Sequence, residues 1–373
     1  MDFSFNEDQL AIREAVERVF TEMCNDDALK ELARSSADCH QPLWSQLAET
    51  GMLALAIPKG LGGMGMGLVE LCLVLEQQGR ATAPAPLLSN LVECAMTLAE
   101  SENAALCESI LPDVAHGRSV LAPVRPYRGL QERSPLRIDP AGGGWVLNGS
   151  SGFSPYCAQA DGLLVSLHDE EGSAFLLYQE RQAPGVSVIE QRAINDEPAG
   201  YVEFEDVHVS RECLVAHGES AEGLMLMQRH RAWIGLAAMQ TGVLDEGLSR
   251  TASYVSERKQ FGRALGSFQA VSQRAADAYM EIECLRSAYW RALDDIEHAA
   301  DVGLSAAVAK YWAGVAGHHA GHTFLHLHGG IGQDLEFPIH RYFLWAKQCE
   351  RYHETPDKLE QWVGDLLVAG LET

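Results

Sequence analysis

The sequence predicts an α+β chain in which a helical amino-terminal domain, a central β domain and a carboxy-terminal helical bundle follow in that order. Helical periodicity holds through about the first 120 residues, short β-rich runs fill about 121 to 222, and the helical period returns from about Leu224 almost to the end. Helix, β and helix in blocks, with no strand–helix alternation, exclude a doubly wound sheet. Domains are expected over 1–120, 121–222 and 223–373.

The first block opens at Asn6 followed by Gln9, a capping-box pair, with Leu10, Val16, Val19, Phe20 and Met23 at helical spacing behind it. Further helical stretches run through Leu43–Gly51 and Leu68–Gly79. They are broken by the glycine-rich segment from Pro58 to Gly67 and by the Pro84 and Pro86 turn. The cluster Gly62-Gly63-Met64-Gly65-Met66-Gly67 matches neither nucleotide-loop pattern and no strand clearly precedes it, so it reads as a loop between helices.

In the second block Trp145-Val146-Leu147 runs into Asn148-Gly149, a turn signal, and Leu163–Leu167, Phe175–Tyr178, Val186–Ile189 and Val202–Val209 read as strands. Val202 and Phe204, then Val207 and Val209, alternate with polar residues, with a break at the acidic pair Glu205-Asp206, so one face is buried. In the third block Val271, Ala275, Ala278, Ile282, Leu285, Tyr289 and Leu293 place one apolar stripe along a long helix, and several such helices make a bundle.

At 373 residues with 47% hydrophobic content the chain can fill more than one core. Its 28 basic against 52 acidic residues, net charge −24, argue against nucleic acid and against an anionic membrane surface as main partner. Nine cysteines with no CxxC pair suggest neither a disulfide framework nor a thiolate metal cage, and a reducing cytoplasm fits best. The start MDFSFNEDQL has no basic, apolar leader, and no run approaches the roughly 18 apolar residues of a membrane span.

Three segments invite a chemical reading. His318, His322 and His326 share a helix face, but no carboxylate or cysteine nearby completes a ligand set, so packing and hydrogen bonding are expected rather than a metal. Glu257-Arg258-Lys259-Gln260-Phe261-Gly262-Arg263, followed by Ser267-Phe268-Gln269-Ala270-Val271, offers guanidinium and backbone N–H donors to a diphosphate, or is a charged interhelical turn. Leu325-His326-Leu327-His328-Gly329-Gly330-Ile331-Gly332 is a helix running into glycines, a plain helix end or a place for close ligand approach.

Arg258 to Gly262 with Ser267 to Val271, and His328 to Gly332 with Pro338-Ile339-His340-Arg341-Tyr342-Phe343, resemble the two carboxy-terminal signatures of acyl-CoA dehydrogenases. Asp2-Phe3-Ser4-Phe5 with Asp8-Gln9, Ala56-Ile57-Pro58 with the glycine cluster, and Val202 to Val209 extend the resemblance from end to end. It implies an acyl-CoA dehydrogenase-like fold whose carboxy-terminal four-helix bundle builds dimers and tetramers. It further implies FAD at a subunit interface, an acyl-CoA thioester substrate and electron-transfer flavoprotein as acceptor. By position, Arg258 meets the diphosphate, Gln260, Phe261, Gln269 and Thr355 meet the cofactor, and His326 to Gly330, with Gly329 between, approach the adenylate half. His326 stands where the family usually has glutamine.

Departures bear on function. The family's usual glutamate base falls on His353, with Glu354 one residue later and Thr355 retained; one helical step turns a side chain by about 100°, so Glu354 does not simply replace it. The alternative base position aligns near Ala232. Leu121-Ala122-Pro123-Val124-Arg125-Pro126 stands in place of a flavin-contacting threonine-glutamate pair, and in Phe153-Ser154-Pro155-Tyr156 a proline takes the place of a hydroxyl residue. The half-site for a neighbour's cofactor is thus better preserved than the chain's own. That asymmetry resembles one subunit type of the heterotetrameric acyl-CoA dehydrogenases of steroid catabolism, in which a second dehydrogenase-like chain carries the base. A self-sufficient dehydrogenase using Glu354 or His353, and a non-catalytic acyl-CoA-binding or scaffolding protein, remain the alternatives.

Overall fold

The protein is described by a computed structural model covering residues 5–35, 39–126, 135–298 and 301–371. The resemblance at Asp2, Phe3 and Ser4 therefore lies outside the described residues. Helices α1 (Glu7–Met23), α2 (Asp26–Arg34), α3 (Gln41–Glu49), α4 (Leu68–Ala81), α5 (Met96–Ala99) and α6 (Ala104–Ala115) come first. Strands β1 (Leu121–Val124), β2 (Arg137–Ala141), β3 (Gly144–Ser150), β4 (Ser154–Pro155) and β5 (Gly162–His168) follow. After them come β6 (Ala174–Glu180), β7 (Val186–Arg192), β8 (Pro198–Val209) and β9 (Leu214–His217). The chain then runs through α7 (Glu219–Glu257), a hairpin of β10 (Lys259–Gln260) and β11 (Arg263–Ala264), α8 (Gln269–Glu297), α9 (Gly303–His328), α10 (Ile339–Arg351) and α11 (Pro356–Leu371). None of the described helices is long and apolar enough to cross a membrane.

Internal contacts divide the chain into two units, one of Met1–Ala37, Val69–Ala83 and Trp233–Thr373, the other of Asp38–Leu68 and Pro84–Ala232. The first is helical. Its α1 starts as the sequence predicts, with the Asn6 side chain accepting from the Gln9 amide at 2.8 Å and the Gln9 side chain accepting from the Asn6 amide at 3.1 Å. Both amides would otherwise be orphaned at a helix start. Helix α4 crosses α7 with backbone in contact: a Cβ on Gly79 would lie 2.0 Å from Met239 O, and one on Gly242 would lie 1.9 Å from Glu76 O. Around that crossing the Arg286 guanidinium bonds both oxygens of Asp245 at 2.7 Å, Arg80 reaches the same carboxylate at 3.1 Å, and the Tyr289 hydroxyl donates to Glu76 at 3.2 Å. The α8 stripe is buried from Ala278 through Ile282, Leu285 and Tyr289 to Leu293, whereas Val271 and Ala275 nearer its start are only half-buried.

The second unit holds two sheets, one in the order β1-β5-β6-β9 and the other β2-β3-β8-β4 with β7 also on β8. Ala122, Leu163, Leu177, Leu147 and Val202, all fully buried, belong to one core supplied by both sheets. Shortening a leucine there to alanine costs about 2–5 kcal/mol. The break in the β8 alternation is a bulge: Leu147 pairs with Val207 and Gly149 with Phe204, so Glu205 and Asp206 face Asn148 alone. The extra residue restores Val207 and Val209 to the inner face. One expectation is corrected here. Asn148-Gly149 lies inside β3, not at a turn, because the Asn148 side chain accepts from the Asp206 amide at 2.8 Å and Gly149 supplies the φ of +108° that the bulge needs. Leu87–Ala95, all buried, is a π-helix that runs directly into α5.

Candidate functional site

Most of the residues singled out in the sequence lie where α7 ends, α8 begins and α9 ends. Helix α7 stops at Glu257, and Lys259–Gln260 pairs with Arg263–Ala264 across Phe261 and Gly262, whose φ values are both positive (+54° and +80°). Two positive φ values at the tip of a two-residue hairpin make a type I′ turn, which glycine takes freely and phenylalanine takes under strain. That strain presents Phe261 outward, 91% exposed. The Arg263 guanidinium sits 3.9 Å from the centroid of Phe268, leaving Arg258, exposed, with no ion pair to any described residue.

Helix α8 then starts without a side-chain cap at Phe268. The Val271 and Ser272 amides return to Phe268 O at 3.0 and 3.1 Å, so those of Gln269 and Ala270 have no partner among the described residues. An exposed Gln269, an unpaired arginine and open amides at the positive end of a 29-residue helix form an anion-accepting corner.

The end of α9 closes the same corner. Tyr254 of α7 stacks on His328 with ring centroids 4.4 Å apart and lies 3.5 Å from its carbonyl oxygen. Burial pushes the His328 imidazole below its ordinary value. His326 is exposed, and its Nδ1 lies 2.5 Å from Arg274 Nη1. Because arginine only donates, Nδ1 is the acceptor in this contact, which leaves Nε2 as the ring's outward nitrogen. Gly329 ends the helix at φ +65°, ψ −141°, and a Cβ on Gly329 or Gly330 would meet nothing within 4 Å. Open space therefore lies over both glycines, and Gly329 is called for by its own backbone, since φ +65° with ψ −141° is a conformation that glycine takes freely.

Thr355, His353 and Glu354 are not part of that corner. They form the turn between α10 and α11, tied to α9 at Lys310, which stands about 24 Å along the helix axis from His326. His353 is half-buried, with φ +65° and its ring 4.5 Å from that of Tyr352. The Thr355 carbonyl caps α11, accepting from Lys358 and Leu359 at 3.1 Å, and its hydroxyl bonds the Asp357 carboxylate, which that bond holds below its usual range.

The second unit carries the remaining positions. Ala232 is fully buried in α7. At the flavin-loop positions β1 is buried along its length, the Ser154 hydroxyl donates to Pro123 O at 2.8 Å, and Pro155 pairs with Ala199. Arg125 bonds the fully buried Glu93 carboxylate at 2.5 Å and reaches Gln228 at 3.4 Å. These positions thus hold a committed hydroxyl, a proline and an ion pair in place of free hydroxyl donors. Residues 258–274 and 326–330 present donors suited to the diphosphate end of a dinucleotide, whereas the Ser154 hydroxyl and the Arg125 guanidinium are engaged within the chain.

The histidine stripe divides as well. His318 Nδ1 lies 2.7 Å from Lys347 Nζ and 3.3 Å from Glu350, while His326 serves Arg274. Sequence reading missed Arg274 and Lys310. Arg274 looks like any surface charge, but Lys310 carries a signal, being a lone charge among Ala306, Ala307, Ala309, Ala313 and Gly314.

Comparison with known proteins completes these observations. The family model "Acyl-CoA dehydrogenase, N-terminal domain" matches residues 6–118, and "Acyl-CoA dehydrogenase, C-terminal domain" matches 224–352. The chain is 32% identical over 358 residues to "Acyl-CoA dehydrogenase FadE27" of Mycobacterium tuberculosis, covering 94% of each. It is similar to a solved ChsE4-ChsE5 complex from Mycobacterium tuberculosis, with TM-score 0.93, 30% identity and 99% of each chain covered. A variant of the Tcur3481-Tcur3483 steroid ACAD matches with TM-score 0.90 and 36% identity over 98% of this chain and 99% of that one.

Proposed function

This chain belongs to the acyl-CoA dehydrogenase family, and we propose that it serves as the subunit that completes the FAD site of a partner chain bearing the catalytic glutamate. The observation that carries this reading is the contrast between its two sets of site positions. The corner of Arg258, Gln269 and Gly329-Gly330 is exposed and uncommitted, whereas the chain's own base positions hold His353 and the buried Ala232.

The residues divide the work as follows. Arg258 gives a charge-assisted contact to a diphosphate, and the open amides of Gln269 and Ala270 add to it. The Gln269 and Gln260 side chains give neutral donors and His326 turns Nε2 outward, while Gly329 and Gly330 admit close backbone approach. Phe261 offers an aromatic knob to the partner surface. When bound, FAD supplies the hydride acceptor for α,β-dehydrogenation of an acyl-CoA thioester. The steroid relative favours a steroid acyl group, and electron-transfer flavoprotein is the acceptor this reading expects.

Turnover by the chain alone, with FAD added, tests the proposal. Negligible dehydrogenation of acyl-CoA thioesters is expected, and His353→Glu should add little, since a proton acceptor without a held hydride acceptor completes no reaction. Turnover abolished by Glu354→Gln or His353→Ala would instead make this a self-sufficient enzyme, since losing a general base costs about 10²–10⁴-fold.

A further inference from the structure

Lys310 is the fully buried lysine of α9. Its ammonium lies 2.9 Å from Cys349 O, 3.1 Å from Glu350 O and 2.9 Å from Glu354 O. An ammonium has three donors, and here each meets a backbone carbonyl. The first two carbonyls belong to the last turn of α10, where helical carbonyls have no partner within the helix; the third lies beyond the helix, in the turn. Arg351, Tyr352 and His353 are thus strung between anchored points. One turn further along α9, Gly314 leaves room for Pro356, the first residue of α11: a Cβ there would lie 2.4 Å from the proline ring.

Burying this charge is costly, and burial pushes the lysine down to about 8, against the raising effect of Cys349, Glu350 and Glu354. Helix association alone does not call for it, since the same α9 face is otherwise built from alanine and glycine. What the ammonium does that a methionine cannot is hold three carbonyls from two segments at one point. It thereby fixes a turn in which His353 keeps a left-handed backbone at φ +65°.

We propose that Lys310 is a positioning residue that sets the α10–α11 turn, Tyr352 to Thr355, and with it the backbone at His353, the position on which the family's base falls. The role of the turn does not depend on the accessory-subunit reading.

The test is hydrogen exchange on the full chain, with Lys310→Met as the variant of similar length and no donors. Exchange at amides 352–359 should rise at least about tenfold while the rest of the bundle keeps its protection. Tm should hold or fall slightly, because the variant removes a costly buried charge but leaves three carbonyls without their donor. Lys310→Gln, with two N–H donors on a shorter neutral chain, should fall between and covers the case in which the methionine variant does not fold. In the oligomer co-purified with a glutamate-bearing homologue, Lys310→Met should retain FAD as wild type does, because the turn is not part of the Arg258 corner. Unchanged exchange at 352–359 in both variants, or protection lost uniformly with a lowered Tm, overturns the proposal. If the wild-type oligomer holds no FAD but the exchange result stands, the accessory reading fails and the positioning role survives.

Discussion

Arg274 donates to Nδ1 of His326 at 2.5 Å, and this bond ties the second turn of α8 to the last turn of α9 across the corner that contains Arg258. It also leaves Nε2 of His326 as the outward nitrogen. Arg274→Ala should therefore weaken FAD retention in the assembled oligomer by about tenfold, roughly the worth of one charge-assisted contact. His326→Gln, which keeps an acceptor for Arg274 and an N–H donor, should bind nearly as wild type, and His326→Ala should not. Fluorescence titration with FAD separates them. Glutamine as damaging as alanine would mean that this pairing does not shape the site.

Arg258→Ala should lower FAD retention without unfolding the protein. Its exposed side chain makes no ion pair with described residues, so folding loses little. A charge-assisted diphosphate contact is worth roughly 1.5–3 kcal/mol, about 10–150-fold in affinity. Flavin stoichiometry after gel filtration, beside an unchanged thermal transition, checks both halves.

Glu197 should give stability a pH dependence of its own. It sits after the β7–β8 turn, accepting from the Tyr156 hydroxyl at 2.8 Å, from Asn195 Nδ2 at 2.6 Å and from the Ala85 amide. Burial pushes it from its ordinary 4.5 up to about 7, against those hydrogen bonds. A raised carboxyl means that the folded state binds the proton more tightly than the unfolded chain does. Stability contributed by this group is then present below about 4.5 and lost as pH rises to about 7. Glu197→Gln should remove that slope, so the difference in urea midpoint between variant and wild type should grow from pH 4.5 to pH 7 and stay level above. A difference independent of pH would show that Glu197 does not titrate there.

Chelation by EDTA should leave thermal stability and flavin retention unchanged. His318 is engaged by Lys347 and Glu350, and His326 by Arg274, so the histidine stripe does not converge on one point. Stoichiometric zinc by elemental analysis would contradict this.

What the sequence allowed to be read follows from the range of the interactions involved. The Asn6–Gln9 cap spans three residues and the Glu205-Asp206 bulge interrupts a period of two, so both were visible. Asn148-Gly149 misled because its partner, Asp206, lies 58 positions away and turns a hairpin signal into a bulge. The π-helix of Leu87–Ala95 spaces Leu87, Leu88, Leu91, Val92 and Ala95 as an ordinary helix would, so nothing in the pattern marks its i→i+5 bonding. The crossing of α4 and α7 at Gly79 and Gly242 depends on two glycines far apart in the chain. At the site, Arg258, Gln269 and the 329–330 glycines were legible as local patterns. Arg274 was not, and Lys310 stood out only as a lone charge on an alanine face with its role hidden, because their partners stand 52 and 39 to 44 residues away.

The central claim is that this chain lends a cofactor half-site rather than holding a working one, and flavin stoichiometry tests it most directly. The purified chain should carry little FAD, and the complex with a glutamate-bearing homologue should carry FAD and oxidise an acyl-CoA thioester. Arg258→Ala in this chain should strip flavin from that complex. A chain that purifies alone with near one flavin per subunit and turns over a thioester would contradict the account.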